Sequence, residues 1–275
     1  MKIIEWPQFL EGSFHQNFKN EGKSSAISVG VFDGVHRGHR ALIERIVAHN
    51  TGSIPVVVTF RQSNYKNSEK QRHHGDITSF RQKIAIFEDL GVSVTIVVDF
   101  SESFRRLPGI DFFRLLLEHG KMSFLAVGSN FRCGYQQDTD VSAIQKFASQ
   151  HNVLVDAVQP LTDGERLINS SQIRSFITQG MLKDAAAMLG HPFAVDLVGA
   201  SINPSANPTR NPDSIAYDIS KLGRILPSAG NYNVLLLRDE GDKITKRPAE
   251  VIITEDAVIT GKDASDTRWE YAEFV

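Results

Sequence analysis

The sequence has 275 residues, and its 30 Lys and Arg against 32 Asp and Glu leave a formal net charge of −2. This balance excludes an overall basic field that would recruit nucleic acid or anionic lipid, so local sites must attract any anionic ligand. We expect a cytoplasmic protein without membrane partners or an internal disulfide, because it has one cysteine, no long apolar run and no signal-peptide core at Met1.

The first informative segment is a glycine-rich turn between a predicted strand, Ala26–Phe32, and a predicted helix in which apolar residues recur at positions 42, 43, 46 and 47. The turn reads Gly-Val-Phe-Asp-Gly-Val-His-Arg-Gly-His over Gly30–His39. The first N–H groups of the helix point at such a turn, which suits an anion. His36 and His39 can donate hydrogen bonds to phosphate charge that builds during nucleotidyl transfer. The alternative is one capping histidine and one ordinary surface histidine.

The next segments continue the alternation of strands and helices. Ile54–Phe60 and Val92–Val98 have the apolar, β-branched composition of buried strands. Helices are predicted from Ser79 to a stop at Gly91 and from Asp111 to His119. The polar stretch 61–76 is predicted to be an exposed loop, in which the adjacent histidines at 73 and 74 are solvated.

A second glycine-containing loop follows the predicted strand Met122–Gly128. Ligands bind at the carboxyl ends of strands in open α/β sheets, so this loop is a candidate nucleotide contact. Gly128 and Gly134 permit close approach of the backbone to a nucleotide. The amide of Asn130 can hydrogen-bond a base or sugar, and the ring of Phe131 can stack or pack. The alternative is an ordinary glycine-rich loop. A helix over 141–150 and a strand over 153–158 are predicted next.

The third segment begins with a predicted hairpin around Asp163-Gly164. It is followed by Asn169-Ser-Ser-Gln-Ile-Arg174 at the start of an amphipathic helix. Here Ser171 can cap the helix, and Arg174 can reach a phosphate. A capping serine alone would be unremarkable.

Beyond Phe193, short strand-like runs are separated by Pro, Gly, Asn and Asp, which predicts a small antiparallel β-barrel. The runs are 195–198, 215–219, 232–237, 250–254 and 257–260. We therefore predict an α/β fold with two domains. The first, residues 1–193, is Rossmann-like with a parallel sheet, and the second, residues 194–275, is the barrel.

The three segments, in this order, resemble the signatures of the nucleotidylyltransferase superfamily. More narrowly, they resemble the FMN adenylyltransferase module of the prokaryotic FAD synthetase family, the bifunctional riboflavin kinase/FMN adenylyltransferases. The resemblance covers roughly residues 25 to 193 and includes Ile168-Asn-Ser-Ser-Gln-Ile-Arg174, where Ser171 stands in place of a threonine. It implies transfer of AMP from ATP to FMN, giving FAD and pyrophosphate, with Mg²⁺ carried on the phosphates and no protein ligand assigned to it.

The resemblance also implies the roles of individual residues. The residues that it implies are catalytic are His36, His39, Ser171 and Arg174. Its nucleotide-binding residues are Gly30, Phe32, Asp33, Gly34, Gly38, Gly128, Asn130, Phe131 and Gly134. One departure is Arg61-Gln-Ser-Asn64, which stands where the family carries Pro-His-Pro.

The C-terminal segment resembles the riboflavin kinase barrel of the same family, but in eroded form. Thr209, Asn211 and Glu250 are a possible remnant of the kinase site, through which riboflavin would be a further ligand. The glycine-rich stretch before Pro208 is replaced, the middle is shortened and the usual closing helix is missing. We therefore expect that riboflavin kinase activity is lost.

Two alternatives stay open at this point. The chain could be a non-catalytic flavin- or nucleotide-binding protein on the same fold. It could also be a nucleotidyltransferase with another phosphorylated acceptor, such as phosphopantetheine or glycerol phosphate. The intact His36, His39, Ser171 and Arg174 favour the enzyme, while the oligomeric state is not determined by the sequence.

Overall fold

The computed structural model describes residues 1–14, 23–49, 52–61, 75–202, 214–220, 222–239, 241, 243–261 and 268–275. The chain forms two compact units. The first is made of Met1–Phe32, Gly38–Asn67 and Ile84–Leu161, and the second of Asp33–Arg37, Ser68–Lys83 and Thr162–Val275. The domain boundary expected at residue 193 stays a prediction, and residues 162–193 group with the C-terminal strands.

The first unit contains a six-stranded parallel sheet. Its strands are β1 (Lys2–Glu5), β2 (Ser25–Val29), β3 (Ile54–Arg61), β4 (Val94–Asp99), β5 (Met122–Gly128) and β8 (Leu154–Val158). Between β5 and β8 in the chain, β6 (Arg132–Cys133) and β7 (Thr139–Asp140) form a separate antiparallel pair. Leaving out β6 and β7, the order across the sheet is β1-β4-β3-β2-β5-β8. The predicted parallel α/β fold is therefore confirmed.

Helices alternate with these strands. They are α1 (Trp6–Leu10), α2 (Arg37–Ala48), α3 (Phe80–Asp89), α4 (Glu102–Arg105), α5 (Gly109–Gly120) and α6 (Val141–Gln150). Every residue of the central strand β2 is buried, as is typical of a parallel sheet that is covered on both faces. None of the helices in the described ranges is long and apolar enough to cross a membrane.

Strand β2 lies at the point where the chain changes direction across the sheet. After β2 the chain adds β3 and β4 on one side, and it then returns to add β5 and β8 on the other side. In doubly wound sheets the carboxyl ends of the strands at such a switch point form the ligand-binding crevice. The glycine-rich turn after β2 and the loop after β5 both start there.

The second unit begins with the predicted hairpin, β9 (Thr162–Asp163) and β10 (Arg166–Leu167), followed by α7 (Ser170–Thr178) and α8 (Leu182–Leu189). Seven antiparallel strands follow: β11 (Ala194–Asp196), β12 (Ser201–Ile202), β13 (Ser214–Asp218), β14 (Gly230–Asp239), β15 (Ile244–Ile253), β16 (Ala257–Gly261) and β17 (Tyr271–Phe274). Their order is β11-β17-β14-β15-β16-β13-β12. The expected antiparallel barrel is thus present as a curled sheet, a half-barrel.

One hydrophobic core joins α7 and α8 to this antiparallel sheet. Ile177 and Leu189 of the helices belong to the same buried cluster as Leu236 and Phe274 of the strands. A helix pair alone buries too little apolar surface to be stable, so the sheet supplies the opposite face. This shared core explains why residues 162–193 fold with the C-terminal strands.

Candidate active site

The turn between β2 and α2 has a strained backbone. Phe32 and Val35 have φ values of 53° and 37°, in the left-handed region that side chains disfavour, and Gly34 has a φ of 82°. A positive φ is a genuine outlier for a β-branched residue such as Val35. Strain of this kind persists only where the surroundings hold it, and it is typical of functional sites.

Asp33 is the anchor of this turn. Its side chain is 4% exposed, and its Oδ1 accepts hydrogen bonds from the backbone N–H groups of Ile77 at 3.0 Å and Thr78 at 3.3 Å. Its Oδ2 accepts from the guanidinium of Arg174. Asp33 is a predicted nucleotide-binding residue, but in this structure its carboxylate holds other parts of the protein.

The backbone on both sides of Asp33 is held as well. Ser170 Oγ donates to the Asp33 carbonyl oxygen at 3.0 Å, and the Gly34 N–H donates to Thr78 Oγ1 at 3.1 Å. The Gly34 carbonyl oxygen accepts from His191 Nε2 at 3.0 Å. Three distant segments of the second unit therefore fix the turn, and these contacts maintain its strained conformation.

His36 follows the strained residues and is buried, with 6% of its surface exposed. Burial lowers its pKa to about 4, although a backbone hydrogen bond opposes this shift. The imidazole is therefore neutral at pH 7 and carries one N–H donor. A neutral donor stabilises developing phosphate charge by hydrogen bonding and not as a fixed cation.

His39 lies in the first turn of α2 and is half-buried. Its ring packs edge-on against Phe32, with the ring centroids 5.2 Å apart, and Phe32 also contacts Phe87 at 5.5 Å. The Phe32 side chain is fully buried, so its contribution in this conformation is to orient His39 by packing.

The start of α7 differs from the prediction. The cap is Asn169, whose side-chain oxygen accepts from the N–H of Gln172 at 2.8 Å, so the prediction that Ser171 caps this helix is wrong. A capping residue has an extended backbone, and its side chain accepts from an N–H two or three residues later. Asn169 meets both conditions, whereas Ser171 already lies inside the helix. Ser171 is exposed within the first helical turn.

Arg174, one turn further along α7, points at the anchor of the glycine-rich turn. Besides its ion pair with Asp33, its Nε donates to the carbonyl oxygen of Gly75 at 3.3 Å. The Arg174 side chain is 19% exposed. The structure thus brings the third sequence segment to the first one, within the second unit.

Charged residues that the sequence analysis did not assign to the site surround this ion pair. Lys83 is 6% exposed, and burial lowers its pKa while the charges of Asp33 and Asp76 oppose that shift. Burial and, secondarily, Asp33 raise the pKa of Asp76 against the opposing charges of Lys83, Arg224 and Arg174. The prediction places Asp76 in an exposed loop and Lys83 in a helix that begins at Ser79, whereas Asp76 is partly buried. The signal in the sequence is the placement of the polar Thr78, Ser79 and Lys83 among apolar residues, and only the structure shows that they are buried.

The backbone of Asp76 is tied to the C-terminal part of the second unit. Its N–H donates to the Gly223 carbonyl oxygen at 2.7 Å, and its carbonyl oxygen accepts from Ile225 N–H at 3.2 Å. Gly75 lies so close that an added Cβ would be 2.5 Å from the backbone of Arg224. Residues 223–225 therefore support the segment that holds Asp33.

In the first unit, the loop after β5 is shaped by contacts within the protein. Asn130 is exposed, while Phe131 and Cys133 pack against the hydrophobic core. Gly134 has a φ of 83°, and a Cβ there would lie 2.3 Å from the backbone nitrogen of Gly109. The absence of a side chain at Gly134 is thus required by a close approach of the chain to itself.

The proposed remnant of the kinase site is only partly described. Glu250 is exposed on β15 opposite Asn233 of β14. Thr209 and Asn211 lie outside the described residues, as do the histidines at 73 and 74 and most of the predicted loop after β3. Within the described ranges, no group of three or more His, Cys, Asp or Glu residues is arranged to hold a metal ion.

The sequence pattern of the FAD synthetase family matches residues 18–172. The chain is 30% identical over 223 residues to the bifunctional riboflavin kinase/FMN adenylyltransferase of Escherichia coli K12, covering 74% of this chain and 71% of that protein. It is 23% identical over 177 residues to the FAD synthetase of Listeria monocytogenes, covering 64% of this chain and 72% of that protein.

A crystal structure titled macrolide-efflux protein from Streptococcus pneumoniae has a similar fold, with a TM-score of 0.77. The two chains are 19% identical, and the match covers 99% of this chain and 89% of the other. This likeness concerns the fold alone. The matched pattern covers more than half of the chain, and the Escherichia coli relative is matched over more than two thirds of its length. The chain therefore belongs to the FAD synthetase family.

Proposed function

We propose that this protein is an FMN adenylyltransferase, which transfers AMP from ATP to FMN and yields FAD and pyrophosphate. The observation that carries the proposal is the Asp33–Arg174 ion pair, which brings Arg174 of α7 to the glycine-rich turn that bears His36. Family membership supplies the substrates, and this arrangement supplies donors for their phosphates.

In the proposed reaction, an oxygen of the FMN 5′-phosphate attacks the α-phosphorus of ATP in line. A new phosphorus–oxygen bond forms while the bond from the α-phosphorus to the bridging oxygen breaks, and pyrophosphate leaves with that oxygen. ATP is the substrate in its magnesium complex, in which the cation neutralises part of the phosphate charge. Most of the acceleration comes from positioning and from electrostatic stabilisation.

Each site residue has a proposed role in this step. His36 and His39 donate hydrogen bonds to the charge that develops on the α-phosphate. Ser171 and Arg174 hold the outgoing phosphates, for which the exposed hydroxyl of Ser171 is accessible. Asp33 acts through the residues it holds, and is in this sense a positioning residue.

The backbone at the switch point of the sheet is proposed to contact the nucleotide. Gly30, Gly34 and Gly38 belong to the turn after β2, and the loop after β5 offers Gly128, Asn130, Phe131 and Gly134. Exposed Asn130 is the best placed of these for a hydrogen bond to base or sugar. The cytoplasmic location stays a proposal, supported by the need for ATP.

The test measures pyrophosphate release from MgATP with and without FMN, with chromatography of the flavin product. We expect release that depends on FMN and that matches the FAD formed. Release with phosphopantetheine or glycerol phosphate in place of FMN would identify another acceptor. Binding of ATP and FMN without any release would favour the non-catalytic alternative.

We also propose that the C-terminal unit has lost riboflavin kinase activity. A kinase needs a carboxylate near the attacking hydroxyl and backbone donors for the ATP phosphates. The exposed Glu250 could supply the carboxylate, but the sequence that replaces the glycine-rich stretch contains prolines, which lack the N–H donor. The half-barrel has a second role that needs no kinase chemistry, since residues 223–225 hold the segment that supports Asp33.

A further inference from the structure

Five charged side chains lie on segments of the second unit that are hydrogen-bonded to one another around Asp33: Asp33 itself, Asp76, Lys83, Arg174 and Arg224. Asp33 and Lys83 are almost completely buried. The group contains three positive and two negative residues. This net positive charge favours an anion beside the group.

The ion pair at the centre of this group conflicts with the role of Arg174 on a phosphate. Its guanidinium donates to Asp33 Oδ2 and to the Gly75 carbonyl oxygen in the free protein. If Arg174 turns to a substrate phosphate, the buried Asp33 carboxylate loses this partner. Removing one partner of a buried ion pair is strongly destabilising, so another cation must then balance Asp33.

Lys83 is placed for that purpose. It is buried at the start of α3, and the backbone just before this helix holds Asp33 through the N–H groups of Ile77 and Thr78. The negative charges of Asp33 and Asp76 favour the charged form of Lys83 against its burial. It lies in the first turn of α3, where Ser79 and Gln82 exchange hydrogen bonds of 2.8 and 3.0 Å as a capping box that fixes the helix start. Without Arg174, the remaining members are two positive and two negative residues.

Asp33 itself does not depend on Arg174 for its position. Its other oxygen, Oδ1, accepts from the N–H groups of Ile77 and Thr78. The carboxylate therefore stays in place when the guanidinium moves, and it is available to receive the guanidinium again when the product leaves.

We propose that Arg174 exchanges the Asp33 carboxylate for a phosphate of bound ATP, and that Lys83 is the positioning residue that balances Asp33 during this exchange. The inference rests on the proposed function for the identity of the anion. It predicts that Lys83 promotes nucleotide binding although it does not touch the nucleotide.

The first experiment measures binding of magnesium α,β-methylene-ATP, which cannot react at the bond to be broken, by calorimetry without an acceptor. We expect Lys83→Met to weaken binding about 10-fold, within the range of measured couplings between charged neighbours. Lys83→Arg keeps the charge and should stay within about 3-fold of the wild type. The exposed Lys183→Met is the matched control and should leave binding unchanged.

The decisive variant is Asp33→Asn, which keeps an oxygen for Ile77 and Thr78 but removes the charge that competes for Arg174. We expect it to bind the analogue at least as tightly as the wild type. In the Asp33→Asn protein, adding Lys83→Met should lower the affinity for the analogue by less than about 2-fold, because the carboxylate at position 33 no longer has to be balanced. A merely structural role for Lys83 would instead give the same loss in both backgrounds.

Two results would overturn the proposed exchange but not the proposed function. One is an equal loss of affinity for the analogue from Lys83→Met with and without Asp33, and the other is weaker binding of the analogue by Asp33→Asn. Circular dichroism on each variant verifies folding. If Lys83→Met alone does not fold, binding of the analogue is compared between the Asp33→Asn protein and the double variant that carries both Asp33→Asn and Lys83→Met. A loss of more than about 2-fold in the double variant then contradicts the proposed role of Lys83. Failure of the wild type to bind the analogue would overturn the proposed function as well, which separates the two claims.

Discussion

The guanidinium of Arg174 forms an ion pair with the carboxylate of Asp33, 141 positions earlier in the chain. Asp33 belongs to the turn after β2, and Arg174 to the first turns of α7. The pair therefore joins the two sequence segments that carry most of the proposed catalytic residues. Because the pair is largely buried, it is a more specific contact than a solvent-exposed salt bridge.

Arg174→Lys should impair the enzyme although the charge is kept. A lysine lacks the planar fork that can serve a carboxylate or two phosphate oxygens while also donating to a carbonyl. We expect kcat/KM for ATP to fall about 10- to 100-fold, the equivalent of losing one hydrogen bond to a charged group. Steady-state kinetics of FAD formation measures this. Arg166→Lys, at an exposed ion pair with Asp184, is the control. If Arg174→Lys leaves kcat and KM unchanged, Arg174 does not belong to the active site.

His36→Ala and His39→Ala should each lower turnover far more than ATP binding. Their donors act where phosphate charge develops, and loss of one such donor typically costs about 100- to 1000-fold in rate. Turnover from FAD formation and the dissociation constant of the methylene analogue separate the two effects. His49→Ala, a histidine stacked on Phe124 in the first unit, serves as the control. Near wild-type turnover in both variants would show that the proposed site is wrong.

His36 should make the free energy of unfolding depend on pH between about 4 and 6.5. Its pKa of about 4 in the folded protein lies below the ordinary histidine pKa of 6.5, so the unfolded chain binds the proton more tightly. Stability from the neutral, buried His36 is complete above pH 6.5 and falls as the pH is lowered towards 4, by about 3 kcal/mol in total.

Urea unfolding of the wild type and of His36→Gln at several pH values tests this. The difference in unfolding free energy between the two proteins isolates His36 from other titrating groups, including Asp76. We expect that difference to shift against the wild type on acidification. A difference that is constant from pH 4 to pH 7 would contradict burial of a neutral imidazole.

Gly75→Ala should destabilise the second unit. Its φ is +83°, and an added Cβ would lie 2.5 Å from the backbone of Arg224 and Ile225, where only a backbone shift can relieve the clash. We expect a loss of about 2 to 4 kcal/mol in the free energy of unfolding. Gly241→Ala has a similar φ of +86° but open space around it, and should cost about 1 kcal/mol. Equal effects of the two substitutions would mean that residues 75 and 224 are not in contact.

The purified protein should make FAD from FMN and ATP but little or no FMN from riboflavin and ATP. The prediction rests on the replaced glycine-rich stretch, where Pro204 and Pro208 remove N–H donors for the ATP phosphates. Both reactions are compared by chromatography at matched enzyme and magnesium concentrations. The relative from Escherichia coli, named for both activities, is the positive control for each reaction. Appreciable FMN from riboflavin would show that the shortened barrel is still a kinase.

Much of the fold follows from local patterns. The predicted strand Met122–Gly128, the helix over 141–150 and the hairpin at Asp163-Gly164 are confirmed by the structure. Their periodicity and turn residues act within a few positions of the chain, so the sequence shows them directly. The short strand β1 and the final strand β17 were not predicted, because each is four residues long and depends on partners far away in the sequence.

By itself the sequence determined the alternation of strands and helices, the antiparallel C-terminal strands, the family and which residue types could handle phosphate. Only the tertiary structure decided how those residues are used. Asn169 and not Ser171 caps α7, Asp33 holds Arg174, and Lys83 becomes part of a buried charged group. The physical reason is that hydrophobic periodicity and turn chemistry act locally, whereas burial and charge pairing depend on which distant segments the fold brings together.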